Sequence, residues 1–475
     1  MSFTELTFVF FLLPLTVISA LALKWLKSSK IKNIIMLVLS VGIFAYYSWK
    51  LLAVFAVFIV LVYLVGQLVY TARSEDSSKK RWMIIGVSAL VFTLFYSKYF
   101  PAIISWWNGF HVVRLNYVSI IPIAGISFIT FSAISYIVDI YRGDATPGPF
   151  TDAALFISFF PKFVSGPIVL WKDFQKELTK TRYSVEKISS GLNRIIIGYA
   201  KKLLIADTLG AHIAFIQTRI PTGMDFKTAW IIAIAYFFEI YYDFSGYSDI
   251  AIGLCDLFGF DIKDNFNFPY ISRSITEFWR RWHISLGTWF REYVYIPLGG
   301  NRTGNVYGNL FIVFILTGIW HGANYTFILW GLAHGILIVI ERAVRDKSWY
   351  RKIPSFFKWA FTMFYVFLAW ILFMSPNISS AGSFYRSLVI ETQEPLQFTW
   401  RYFATKRIIL ILLIAGIGSL LGLVEFKKGL KEKITSFLNK PYIVWAKYIL
   451  LLALFILDIL FMVNSSYSPF IYAQF

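Results

Sequence analysis

The sequence predicts an all-α polytopic membrane protein, and three observations predict it. Apolar stretches long enough to cross a bilayer recur along the whole 475-residue chain; a spanning helix needs roughly 20 mostly apolar residues. Charged residues make up only 15% of the chain against 58% hydrophobic ones, where a soluble domain carries about 25% charged. The apolar runs are continuous rather than alternating, so they read as helices and not as the strands of a closed barrel.

The formal net charge of +19 would suggest a nucleic-acid partner on a soluble protein. Here the basic residues sit in short segments between apolar runs, at 24–32, 73–81, 172–187, 342–358 and 427–433. That is the pattern of cytoplasmic loops facing anionic membrane lipid, and no nucleic acid is expected. Cys255 is the only cysteine, which excludes an internal disulfide and a CxxC metal site. The first 23 residues lack a positive leader, because the charge of Lys24, Lys27, Lys30 and Lys32 follows the apolar stretch. The N-terminus therefore reads as a retained span whose start lies outside the cell membrane, not as a cleaved signal.

Apolar segments fall near 5–23, 32–49, 51–71, 82–105, 118–140, 150–170, 188–217, 228–258, 306–340, 358–376, 405–425 and 441–463. Alternating sides from an outside start keeps every basic cluster inside only if two segments fail to cross cleanly. The first is 150–170, where Pro161, Gly166 and Pro167 argue for a broken, re-entrant path. The second is 306–340, which as one helix would run about 52 Å, too long for a ~30 Å core; Gly318, Gly322 and Asn324 offer a break. The expectation is a single membrane domain over 1–475, with N-terminal spans in 1–149, a catalytic stretch in 150–341 and C-terminal spans in 342–475.

Four stretches carry chemistry. In Phe268–Leu286, Ser274 and Glu277 form an S-x-x-E capping box that starts a helix. Ile275, Phe278, Trp279, Trp282, Leu286, Trp289 and Phe290 then repeat at helical spacing, with Arg280, Arg281 and Arg291 off that stripe. This reads as one interfacial helix anchored by its aromatic face in lipid, with His283 at the border of the stripe. Taken alone, the anchor with an incidental histidine is the stronger reading of this stretch.

In Thr317-Gly-Ile-Trp-His321-Gly-Ala-Asn324, His321 falls in the middle of an apolar run. A histidine at membrane depth is costly and marks function by default, and Gly318 and Gly322 allow close approach of a ligand or a backbone; the alternative is a histidine that glues helices. His334, beside Gly331 and Gly335, reads as helix packing, and His111 and His212 as structural.

Asp243 and Asp249 lie in the apolar run 228–258, about 240° apart on a helix. They suit either the orienting of histidines or an interhelical polar clamp. In Phe160-Pro-Lys162-Phe-Val-Ser-Gly166-Pro167, irregular backbone at membrane depth makes a candidate cavity wall, with Lys162 lining it or snorkelling. A zinc site from the histidines and an aspartate lacks ligand spacing, so no metal is expected.

These four stretches, in this order, resemble the membrane-bound O-acyltransferase family, and most nearly its bacterial alginate O-acetyltransferase branch. The likeness rests on Ser272-Arg-Ser-Ile-Thr-Glu-Phe-Trp-Arg-Arg-Trp-His283, on Tyr295-Ile-Pro-Leu-Gly-Gly-Asn-Arg302, on Asp243-Phe-Ser-Gly-Tyr-Ser-Asp249, on Gly318-Ile-Trp-His-Gly322 and on Ser468-Pro-Phe-Ile-Tyr-Ala-Gln-Phe475. It is strong over 150–335 and weaker elsewhere.

The resemblance implies a ring of roughly 11 spanning helices around a central funnel, with re-entrant and interfacial helices. It maps the family's invariant histidine to His321 and a second family position to His283, near the cytoplasmic mouth. It implies transfer of an acyl group, acetyl by likeness, from a cytoplasmic thioester to a hydroxyl on an exported polysaccharide or on an extracellular SGNH-type partner. The thioester, acetyl coenzyme A or an acyl carrier protein, is a substrate, and no bound cofactor is implied.

Within that scheme His321 is the general base, and His283 positions the thioester or shares proton transfer. Asn324 or a backbone N–H near the helix break stabilises the oxyanion. Arg280 and Arg281 suit either donor phosphates or lipid headgroups. The rival readings are a transporter, which also breaks helices at mid-membrane, and a non-catalytic scaffold of a polysaccharide export complex.

Overall fold

The computed structural model describes residues 3–72, 77–110, 115, 125–163, 165–180, 183–220, 224–302, 305–391, 398–426, 429–438, 440–464 and 470–471. Among these, every regular element is helical and there is no strand. Seven helical stretches are long and apolar enough to cross a membrane; one of them, Ser29–Thr71, holds two helices joined by a tight turn. Length and apolarity thus single out fewer spans than the eleven expected, and the helix Phe226–Leu257, with its internal carboxylates, is not among them. His111 and most of the C-terminal run 468–475 lie outside the described residues.

The chain separates into two compact units, one of 1–195 with 248–263 and one of 196–247 with 264–475.

The first unit carries the N-terminal spans and the broken segment. Helix Phe150–Ser158 has 9 residues, about 13 Å at 1.5 Å per residue, and cannot cross. A tight turn at Phe160–Lys162 follows, and the chain then doubles back. A Cβ on Gly166 would stand 2.6 Å from the Pro161 carbonyl oxygen and 2.8 Å from the Lys162 Cα, so only glycine fits there. The backbone freed by the break finds partners inside the protein: Phe160 N–H donates to the Ser40 hydroxyl at 3.3 Å, and Lys162 Nζ to the Phe156 carbonyl at 2.5 Å. The expected break is present, and it is buried as irregular backbone at membrane depth must be.

The second unit holds the other two irregular features. The apolar run 306–340 is a hairpin of two helices, Val306–His321 and Tyr325–Val344. The first ends at Gly322, whose φ of +156° with ψ of 179° is open to glycine. The second starts at Asn324, whose side chain accepts from the Thr326 N–H at 3.1 Å, an N-cap. This is the expected break.

The interfacial helix differs from expectation in two ways. It is two helices, Ile275–Arg281 and Ile284–Phe290, broken at His283, which adopts φ +45°, ψ +53°. The cause lies upstream in the chain: Asn267 N–H donates to the Arg281 carbonyl at 2.9 Å and Ile284 N–H to the Asn265 carbonyl at 2.9 Å. Those bonds take backbone groups that a continuous helix would use. Its apolar stripe is also not open to lipid, because Ile275, Phe278, Trp282, Leu286, Trp289 and Phe290 are buried in protein. Trp282 packs 4.9 Å from Trp370 and 5.0 Å from Phe266 between ring centroids. The helix start at Ser274 matches the capping box: its hydroxyl accepts from Glu277 N–H at 3.0 Å. The carboxylate of Glu341 adds a bond from Ile275 N–H at 2.7 Å.

Candidate functional site

His321 closes the first hairpin helix and is 3% exposed. Aromatic rings enclose it: Trp320 at 4.8 Å, Phe373 at 5.0 Å edge-on, Trp330 at 5.2 Å edge-on and Phe327 at 6.0 Å. Trp320 is also in ring contact with His283, at 6.3 Å. The two histidines singled out in the sequence therefore meet through one indole.

His283 is 2% exposed, with the edge of Phe244 at 4.5 Å. Its Nδ1 stands 3.2 Å from Asn265 Oδ1. Burial pushes its pKa down to about 3, because a charged ring there would lose its hydration. The ring is neutral at cellular pH.

His283 lines a cavity of about 440 Å³. Arg280, Arg291, Arg342 and Arg345 also line it, together with Tyr295, Asn301 and an apolar wall that includes Trp279, Leu286 and Phe314. Arg342 is held by a bond to Asn301 Oδ1 at 3.1 Å, which Tyr295 shares at 2.9 Å. A room with four guanidinium groups and an apolar wall suits a ligand that is anionic at one end and apolar at the other.

The other expected site residues have structural partners. Arg281 pairs with Glu277 at 3.1 Å and donates to the Asn267 carbonyl at 3.1 Å; it does not line the cavity, whereas Arg280 does. Asn324 caps its helix and donates to the Pro376 carbonyl at 2.6 Å. Asp243 pairs with Lys202 at 2.6 Å and accepts from Ile471 N–H at 2.9 Å. Asp249 pairs with Arg194 at 2.9 Å. Each aspartate thus pairs with a cation of the preceding helical stretch, as an interhelical clamp would. In its own unit, Lys162 lies 3.8 Å over the Phe156 ring, bonded to a carbonyl. His334 accepts from Trp279 Nε1–H at 3.4 Å, in keeping with packing, and His212 is half-buried beside Phe215.

Sequence reasoning missed Asn265, Ser285, Arg342, Arg345 and Asp458. Asp458 is a fully buried carboxylate in the C-terminal helix Pro441–Asn464, and a lone acid in an apolar span is a signal that could have found it. In the sequence Arg342 and Arg345 are indistinguishable from the rest of a basic loop cluster. Nothing local marks Asn265, since its partner lies 18 residues away. Among the described residues no group of three or more acidic, histidine or cysteine side chains could hold a metal.

The sequence profile of the membrane-bound O-acyltransferase family matches residues 41–385. The chain is 38% identical to a "probable alginate O-acetylase" of Pseudomonas putida, over 100% of both chains. It is 33% identical to a peptidoglycan O-acetyltransferase of Helicobacter pylori, over 80% of this chain and 78% of that one. It is 31% identical to a teichoic acid D-alanyltransferase of Bacillus subtilis, over 58% of this chain and 69% of that one.

Proposed function

The chain belongs to the membrane-bound O-acyltransferase family, and from that premise we propose that it moves an acetyl group from a cytoplasmic thioester to a hydroxyl outside the cell membrane. It is a multi-pass membrane acyltransferase. The donor in this reading is acetyl coenzyme A or an acetylated carrier protein, and the N-terminus lies outside. The acceptor is an exported polysaccharide or a serine of an extracellular SGNH-type relay partner; two of the relatives are named for polysaccharide O-acetylation.

The observation that carries the reading is the position of His321. It ends a 16-residue helix inside an apolar hairpin and is boxed by rings, where a histidine is retained only for a purpose. A neutral imidazole takes the proton of the acceptor hydroxyl as its oxygen attacks the thioester carbonyl carbon. The C–S bond breaks and the same proton passes to the departing thiolate. The arginine-lined cavity supports the donor half of the reading, since guanidinium groups match phosphate geometry, and His283 stands at that cavity.

The test is purified His321→Ala, shown to elute as wild type does, assayed for transfer of labelled acetyl from acetyl coenzyme A to a hydroxyl acceptor. A general base contributes about 10²–10⁴-fold, so the variant should fall at least about 100-fold. A rate near wild type would overturn the role of His321. No consumption of any thioester by wild-type protein would return the chain to the transporter or scaffold class.

A further inference from the structure

We infer that Asn265 is a positioning residue for His283, holding the imidazole proton on Nδ1 and so keeping Nε2 as the basic nitrogen. The inference rests on the acyltransfer reading above and adds a residue that reading does not contain.

The direction of the contact follows from what else Asn265 touches. Its Oδ1 receives the Ser285 N–H at 3.1 Å and the Ser285 hydroxyl at 2.9 Å. The atom that gathers these donors is the amide oxygen, which only accepts. His283 Nδ1, 3.2 Å from the same oxygen, is then a donor and carries the ring proton. A neutral imidazole has one N–H, so Nε2 carries the lone pair.

The surroundings hold that arrangement. Asn265 is 1% exposed, and its own carbonyl receives Ile284 N–H at 2.9 Å, so one residue grips both the imidazole and the backbone that follows the left-handed turn. Phe244 stands edge-on to the imidazole, at 84°, against ring rotation. A non-glycine residue at positive φ is strained and persists when its surroundings over-determine it; Asn265 and Ser285 supply those surroundings. The ionisable groups facing the cavity beside His283 are Arg280, Arg291, Arg342, Arg345 and Tyr295. Arginines stay charged throughout, and the rings of Phe244 and Trp320 also pack against the imidazole.

The experiment reads the tautomer without needing the reaction. The full chain is labelled with ¹⁵N-histidine; it has five histidines, and His283 is assigned in the solid-state ¹⁵N spectrum by difference from His283→Asn. The expected result is a neutral His283 with the proton on Nδ1. Asn265→Leu moves the proton to Nε2 or gives a mixture. Ser285→Ala, a milder change in case Asn265→Leu does not fold, gives a partial mixture by freeing the amide to turn. Asn265→Asp keeps the Nδ1 proton and makes His283 titrate above pH 6, read as the passage of its ¹⁵N signals from the neutral to the charged pattern in that range. An Nε2 proton in the wild type, or an unmoved titration in Asn265→Asp, overturns the assignment. The expected tautomer in a wild-type protein that transfers no acyl group overturns the functional reading and leaves the positioning of His283 standing.

Discussion

Gly318 and Gly331 cross where the two hairpin helices touch. A Cβ on Gly331 would lie 3.1 Å from the Gly318 Cα and 2.5 Å from the Phe314 carbonyl oxygen; one on Gly318 would lie 2.5 Å from the Phe327 carbonyl oxygen. The neighbours are backbone, which cannot swing away, so the helices approach as closely as small residues permit. Gly318→Val and Gly331→Val should each destabilise by about 1–3 kcal/mol, the usual range for overpacking. Gly382 is the control, because a Cβ added there would meet nothing within 4 Å: Gly382→Ala should leave the melting temperature within a few degrees of wild type. Thermal unfolding of the detergent-solubilised protein checks all three.

Lys202 sits between two carboxylates, 2.6 Å from Asp207 and 2.6 Å from Asp243, and is 3% exposed. Removing one member of a buried pair leaves a charge without compensation and costs about 3–5 kcal/mol. Lys202→Met strands two carboxylates and should be the most damaging of the set. Asp207→Asn leaves the second pair in place and should be milder. The yield of monodisperse protein and its melting temperature order the variants; equal effects would mean that the second pair does not compensate for loss of the first.

His283 contributes one part of the pH dependence of stability. Its folded pKa is depressed to about 3 from 6.5. Between those values the unfolded chain binds a proton that the folded one does not. The stability from the neutral ring is therefore complete above about pH 6.5 and is lost as pH falls toward 3. Each pH unit in that window removes at most about 1.4 kcal/mol. The melting temperature of wild type should drop from pH 6.5 to 4.5 by more than that of His283→Asn, which lacks the titrating ring. Parallel curves would show that other groups govern the acid limb.

Arg342 is fixed by Asn301 and lines the cavity. If the cavity takes the anionic end of a thioester donor, Arg342→Ala should raise KM for acetyl coenzyme A about 10- to 100-fold, the loss expected of one charge-assisted hydrogen bond worth about 1.5–3 kcal/mol, and leave kcat within about threefold. A short acetyl thioester without phosphates should show no such rise. A drop in kcat alone, with KM unchanged, would take the arginine out of donor binding.

The two breaks in the spans were legible because their causes are local. Gly318, Gly322 and Asn324 interrupt an apolar run, and Pro161, Gly166 and Pro167 interrupt another; glycine, proline and asparagine announce a turn wherever they stand. Ser274 and Glu277 announced a helix start for the same reason. The break at His283 was not legible: Trp282-His283-Ile284 holds no glycine or proline, and it is imposed by Asn265 and Asn267 from another part of the chain. The aromatic stripe of 275–290 has the same spacing whether it faces lipid or protein, and only packing against Trp370 and Phe266 decides that. Asp243 and Asp249 were visible as costly carboxylates, but their partners Lys202 and Arg194 lie on a different helix, beyond what periodicity can pair.

The left-handed backbone at position 283 sets stability against the role proposed for its ring. That conformation is easiest for glycine and tolerable for asparagine, and Asn265 would keep its two donors from Ser285 if the imidazole were gone. A library screened for heat resistance alone should therefore collect Gly and Asn at 283, each enriched together with a loss of turnover. On the proposed role of His283, a thermostabilised version of this protein needs that codon held fixed, because selection for robustness would erase the ring.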